Sequence, residues 1–577
     1  MSPFVRPKAI RRGDRLLARG VFWIVLAIYS ATMSGLPDNP DAEVEFQTTS
    51  ALARTSGLAL EGTPEARGII ALPNGRGGTG FDVKEGVGER AGKHYSWFGI
   101  GQAVVGVPFY AVGAGLARVF PDVQAAHARR TAYGVERSEY FQHLVVGWRN
   151  PLLGALTAWL FVFAARRLGA SRSAAAVGAF GLSLCTFAWP QARSTLSDVQ
   201  ATFFLFFAFH LLLRFRESFV RTRRIHVAEQ LLFGGALGLA FLTRAVTAPA
   251  VAVLAVGYAV VVWRGRRRAG SGTRAWLDLA IGYAPALLLF GAFLLVNQLR
   301  FGAPLESGYG EAVGPQYFDA QRIPRGLVGL LAAPGRGLLW LAPGTLVAVV
   351  GLWWSWGRGE RLWPLTLILL AAAILVPPAA TVGWGGGWTF GPRYALPLLP
   401  VLWLGVALAW DVVRARKLRW TVAGPILLGL VPNLGAVLVD QMTHQDLAVQ
   451  AARIAWPDAH VYTEEEKQAE ATAAAEWARF QRIEWDWRFA APWAHWRILR
   501  HRIAMGDELF GVRELFFLDH PAVLEPMGER SRGWNHFAWY DLAVNLQGTL
   551  WPVALALLAA LVGGLVQLVR GFDATLR

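Results

Sequence analysis

One cysteine in 577 residues, Cys185, rules out a disulfide scaffold. Charge is also scarce: 17% of residues are Asp, Glu, Lys or Arg, against roughly 25% in ordinary soluble domains. The polar linkers that divide a long soluble chain into domains are missing. So is any internal repeat of the length that builds solenoids. The glycine-rich run Asn74–Gly80 lacks the Lys-Ser/Thr of a phosphate loop and the strand-to-helix setting of a dinucleotide fold, so it reads as a plain loop.

What the chain has is apolar surface. Apolar and aromatic residues make up 54% of it, and mean hydropathy is +0.35. Apolar runs long enough to cross a bilayer recur, separated by short arginine-rich stretches, which defines an all-α polytopic membrane protein. Net charge is +16 with a pI near 10.5. A nucleic-acid-binding protein gathers such charge on one soluble face; here it is scattered between apolar runs, so it reports topology and no nucleic-acid partner is expected.

The first run, Gly20–Leu36, follows Arg6, Lys8, Arg11, Arg12, Arg15 and Arg19 and is long for a cleaved signal, so it reads as an anchor with a cytoplasmic N-terminus. Further spans are predicted at 144–165, 173–190, 200–213, 229–246, 247–263, 276–296, 338–356, 364–382, 395–412, 420–439 and 548–569, twelve in all. Alternate connections carry Arg166, Arg167 and Arg172, then Arg214 to Arg224, Arg264 to Arg274, Arg358 and Arg361, and Arg414 to Arg419. Together with both tails they hold nearly half of the 56 lysines and arginines. Counting Phe98–Ala117 as a thirteenth span would invert every later loop, so it is expected to lie at the outer membrane surface. The chain then divides into a cytoplasmic tail (1–19), a transmembrane core (20–440) with a first outer loop (37–143), an outer Trp-rich segment (441–547), and a last span with a cytoplasmic tail (548–577). Within the outer segment, Glu464–Arg482 reads as a helix with Thr463 and Glu466 spaced as a capping box. The segment either rests its tryptophans on the lipid interface or forms a small cap.

Span centres are nearly free of ionisable residues, unlike those of a transporter. The unusual polar residues fall at outer helix ends. Asp41, Glu43 and Glu45 follow the first span, where a carboxylate near a low-dielectric boundary is suited to take a proton from a hydroxyl. Arg193, Arg244, Arg300, Arg336 and Arg393 sit on the side that positive-inside bias does not explain, most of them beside Gly or Pro. A guanidinium fork binds phosphate bidentately and keeps its charge. Base and arginines together suggest group transfer from a lipid phosphate to a hydroxyl.

Seven segments, in order, resemble the bacterial membrane glycosyltransferases of the C-type fold (GT-C), kin to protein O-mannosyltransferases and lipid A aminoarabinose transferases. They are Asp41-Ala42-Glu43; His94-Tyr95-Ser96-Trp97 through Gln102; Ala192-Arg193 through Asp198; Gly238 through Thr243-Arg244; Arg300-Phe301-Gly302 through Glu306 to Gly310; Ala333-Pro334-Gly335-Arg336; and Trp388-Thr389-Phe390-Gly391-Pro392-Arg393-Tyr394. The resemblance spans about 20–440. It implies a GT-C-like core whose first outer loop forms juxtamembrane helices, a polyprenyl-phosphate-linked sugar donor, and a glycan, lipid or protein acceptor reached from the extracytoplasmic side of the inner membrane. It implies no divalent metal or other cofactor.

By the same resemblance Asp41 is the general base of an inverting displacement and Glu43 its neighbour. Arg244, Arg336, Arg393, Arg193 and Arg300 hold the donor phosphate, and Tyr95, Gln102, Asp198, Glu306 and Tyr394 complete the site. Relatives often carry Lys at Trp97, leaving Lys93 or His94 to meet the phosphate, and usually Pro at Ala245. The rival readings are a flippase of lipid-linked sugars and an inactive glycosyltransferase-like scaffold.

Overall fold

A computed structural model describes residues 10–35, 40–60, 62–71, 83–126, 138–308, 318–387, 389–415, 418–457, 479–506, 509–524 and 551–574. The Gly-rich run 74–80, Trp388, the capping box at Thr463 and Glu466, most of the helix expected over 464–482, and Trp534 and Trp539 lie outside the described residues.

The chain is helical almost throughout. Helix α1 (Arg12–Thr32) is followed by α2 (Pro40–Thr55) and α3 (Pro64–Ala71), then by a small hairpin of β1 (Val83–Glu85) and β2 (His94–Ser96). Next come α4 (Gly101–Val119), α5 (Pro121–Ala126), α6 (Tyr140–Arg167), α7 (Arg172–Leu184), α8 (Ala188–Arg193), α9 (Asp198–Arg221), α10 (Val227–Thr243), α11 (Ala248–Arg268) and α12 (Arg274–Phe301). The series continues through α13 (Ile323–Ala332), α14 (Leu338–Leu341), α15 (Thr345–Gly357), α16 (Leu362–Ala379), α17 (Leu399–Ala415), α18 (Trp420–Leu428), α19 (Leu430–Leu438), α20 (Gln441–Ala455), α21 (Ala491–Met505) and α22 (Trp551–Asp573). Among the described residues the predicted spans are largely helical, but 173–190 breaks at Cys185–Phe187 and 338–356 at Ala342–Gly344. Nine stretches among the described residues are long and apolar enough to cross a membrane.

The surface is that of a multi-pass membrane protein. Leu288 is 74% exposed, Trp353 77% and Trp420 80%, an apolar exterior that a water-soluble globule of this size does not carry. Inside, one core of Leu, Val, Ala and Phe joins α1, α6, α7, α9 and α17. The last helix closes against the first: a side chain on Gly20 would meet the backbone of Leu568, and one on Gly571 the backbone of Leu17. Small residues therefore let α1 and α22 run antiparallel in close backbone contact.

Where α1 begins, hereafter the lower end, Asp14 is fully buried and accepts from Arg166 Nε (2.8 Å) and Arg172 Nε (2.9 Å). The arginine-rich connections gather there. At the upper end, Asn150 of α6 donates to Ser194 O and Leu196 O in the turn before α9. Helix α4 packs against α2 and α6: Gly106 meets Thr49 of α2, and Gly113 meets Phe141 and Gln142 in the first turn of α6. Although long and apolar enough to span, α4 thus shares a layer with α2.

Residues 439–524 hold a second core of their own, with Val439, Leu447, Phe489, Ile498, Phe510 and Phe516 buried together. Trp487 and Trp493 remain half-exposed on it.

Candidate active site

The acidic stretch after α1 is a helix, not a loop, and this decides which carboxylates act together. Pro40 occupies the start of α2, where its missing N–H costs nothing, and Asp41 and Glu43 in the first turn complement the helix dipole. Side chains four apart share a helix face while those two apart diverge. Asp41 and Glu45 therefore point one way, and Glu43 points another.

Asp41 is about one-quarter exposed and lies 3.6 Å from the Arg393 guanidinium. Arg393 opens a tight helical turn after Pro392. Its buried Nε makes no hydrogen bond among the described residues. The ring of Tyr394 sits 5.4 Å from the Arg393 guanidinium and 5.4 Å from that of Arg244, so one aromatic ring meets two cations. Arg244 ends α10 in extended backbone and forms an ion pair with Asp198, the first residue of α9. Beneath them Glu45 is buried, accepts from Ser197 and lies near Arg149, Arg244 and Asp198. Burial pushes its carboxyl up to about 7 despite the two arginines. All these groups lie at the upper end of the bundle, opposite Asp14.

The other expected residues do different work. Arg336 is buried and gives its fork to the carbonyls of Thr389, Gly387 and Gly391 while its Nε lies 3.3 Å from Glu484. It holds the 387–391 turn, so it is no free phosphate ligand. Arg193 Nε donates to Thr32 O at 2.6 Å. Arg300 donates to Ser96 O (2.7 Å) and Asn297 Oδ1 (2.9 Å). Their acceptors are the carbonyls of Thr32 at the end of α1, of Ser96 at the end of β2 and of the 387–391 turn, so three of the five serve backbone.

Gln102 donates to Thr195 O at 2.8 Å, next to the fork of Arg149. Tyr95 packs edge-on against Phe301, and Glu306 pairs with Lys84 at 3.5 Å. Lys93 is exposed and His94 half-buried on the same hairpin; among the described residues no contact joins either to Arg393 or Arg244. Glu43 is the clearest correction. It meets His143 Nε2 at 3.1 Å and Gln47 Nε2 at 2.8 Å, away from the arginines.

Three residues escaped the sequence reading, and a fourth, Glu45, was named there without its pairing to Asp41. Glu45 was legible from its spacing to Asp41 once a helix starts at Pro40. Arg149, fully buried in α6, binds Gln102 O and Thr195 O; as a charge inside an apolar run it gave a signal. His143 and Glu484 gave none, because each meets its partner across a long sequence separation. Burial also pushes Glu484 up to about 7, against the pull of Arg336 and Arg325.

These features define a polytopic helical membrane protein with a carboxylate–guanidinium site at one end of its bundle. Residues 105–297, about a third of the chain, match the family model described as dolichyl-phosphate-mannose-protein mannosyltransferase, so the chain is related to the C-type-fold membrane glycosyltransferases that its motifs resemble. No curated protein matches it by sequence. Among solved structures, ArnT from Cupriavidus metallidurans bound to undecaprenyl phosphate is similar over 96% of this chain and 76% of its own, at 14% identity and a TM-score of 0.41. The archaeal oligosaccharyltransferase AglB from Archaeoglobus fulgidus, in complex with an inhibitory peptide and a dolichol-phosphate, is similar over 76% of this chain and 57% of its own, at 12% identity and a TM-score of 0.38.

Proposed function

We propose that the protein is a glycosyltransferase that moves a sugar from a polyprenyl-phosphate donor to an acceptor hydroxyl at the extracytoplasmic membrane face. The observation that carries this reading is the quarter-exposed Asp41 carboxylate set 3.6 Å from Arg393, with Arg244 on the same Tyr394 ring. The family matched over 105–297, whose description names a dolichyl-phosphate sugar, supports the donor class.

In the proposed reaction the acceptor oxygen attacks the anomeric carbon and its proton passes to Asp41. The carbon–oxygen bond to phosphate breaks, and its electron pair leaves with the polyprenyl phosphate. One displacement inverts the anomeric centre through an oxocarbenium-like transition state. Arg393 and Arg244 meet the charge that grows on the departing phosphate, with geometry fixed before reaction. Transfer is proposed to need no divalent cation, since the two guanidinium groups supply the neutralising charge. The clustering of arginines at the lower end, away from the site, supports cytoplasmic termini and an external site.

The test is transfer by protein in lipid nanodiscs given radiolabelled polyprenyl-phosphate sugars and a membrane-extract acceptor. Label in the acceptor, insensitive to EDTA, is the expected result. Donor carried unchanged across the bilayer of sealed proteoliposomes, with no label transferred, would instead establish a flippase.

A further inference from the structure

His143 and Glu43 form a buried pair behind the face of α2 that carries Asp41. His143 Nδ1 lies 2.7 Å from the carbonyl of Glu139. A carbonyl only accepts, so Nδ1 carries a proton and donates. His143 Nε2 then faces Glu43 Oε1 at 3.1 Å, and that oxygen already accepts from Gln47 Nε2 at 2.8 Å. A bare nitrogen and a carboxylate oxygen would present lone pairs to each other, so a second proton must lie between them. The pair is imidazolium with carboxylate, or imidazole with carboxylic acid; either way one proton bridges α6 to α2. Both side chains are essentially inaccessible to water, which makes that bond strong and its loss costly.

The surroundings fix the pair in place. Phe46 of α2 stacks on the His143 ring with centroids 3.5 Å apart. Gln47 is held in turn by Thr63 (2.9 Å) ahead of α3. Other titratable and charged groups on the packed elements include Glu139 and Tyr110, which bond each other and Ser50, Glu65 held by Ser138, Arg54, Asp41 and Glu45 of α2, Arg67 of α3, Arg118 of α4, and Tyr140, Arg149, Arg166 and Arg167 of α6.

Resting on the transferase reading, we propose that His143 is a positioning residue: its bridging proton to Glu43 clamps α2 so that Asp41 and Glu45 face Arg393 and Arg244. Glu43 and Asp41 lie two residues apart on one helix, so a rotation that releases the first swings the second off its arginine.

The variants are His143→Phe, which keeps the ring but removes the donor, and His143→Gln, whose amide donates to Glu43 at every pH. In the Phe variant kcat should drop roughly 10- to 100-fold, the scale of a small misplacement of a reacting group, with donor KM little changed. The Gln variant, which restores a donor to Glu43, should recover most of kcat. A residue needed only for folding would reduce the yield of protein without this split between kcat and KM.

A second readout is independent of transfer. Thr49, fully buried on α2 against Gly106, is changed to Cys in a Cys185→Ala background and labelled with maleimide at one fixed pH. Labelling should be severalfold faster with His143→Phe than with His143 or Gln. Equal rates in all three overturn the clamp, whether or not transfer is seen. Accelerated labelling in the Phe variant, with no sugar transferred by the parent from any donor, overturns the transferase reading alone and leaves the clamp standing.

Discussion

Asp14 and Asp41 stand at opposite ends of the bundle, each beside arginine, and they are built for different tasks. Asp14 is wholly buried and takes two arginine Nε donors at 2.8 and 2.9 Å, with the Arg11 backbone at 2.9 Å. Asp41 keeps a quarter of its surface and stands 3.6 Å from one arginine whose Nε is unoccupied. The first is saturated and can only hold helices together. The second retains capacity to take a proton and shares its arginine with whatever anion enters.

The sharpest test exchanges the same substitution between the two ends. Asp41→Asn should lower turnover about 10²- to 10⁴-fold, the usual loss for a general base, while leaving the melting temperature near that of the parent. Asp14→Asn should leave turnover per folded molecule unchanged. It should cost about 3–5 kcal/mol of stability, because two arginines are left buried without a partner. Thermal melts and steady-state rates on both proteins read the contrast, and equal effects at the two ends would erase it.

The arginines extend the comparison at a smaller scale. Arg393→Lys should weaken binding of a polyprenyl phosphate about tenfold, since an ammonium lacks the fork; titration in nanodiscs measures this. Arg336→Lys should chiefly lower the melting temperature by freeing the carbonyls of 387–391.

The mildest effect concerns pH. Glu45 is raised from 4.5 to about 7 by burial, so between those values the folded chain holds a proton that the unfolded chain has lost. Its contribution to stability is present below about pH 4.5 and is lost as pH rises through about 7. Glu45→Gln should flatten the fall in melting temperature between about pH 5 and pH 8 by a few degrees. Because Glu45 shares a face with Asp41, the same change should also slow turnover more than Glu43→Gln does at neutral pH.

Sequence carried the helices well, because apolar length and the spacing of arginines report the bilayer directly. It carried Asp41, Arg244 and Arg393 through their motifs. The pairing of Asp41 with Glu45 rather than Glu43 depends on whether residues 40–45 are helical, which a stretch so rich in polar residues leaves open. Arg336, Arg193 and Arg300 look like phosphate ligands in one dimension because carbonyls have no side-chain letter, so their true partners are invisible. Glu484 reaches Arg336 from a segment nearly 150 residues away, and only the folded cap brings the two together.

The contact between α1 and α22 has a bearing on how the molecule is made. The glycine-bearing flank of α1 leaves the ribosome long before its mate, so until α22 is made that flank must face lipid or an insertion chaperone. Docking of residues 551–573 is then a late step of biogenesis, and a chain stalled before it would expose a notched helix open to quality-control proteases.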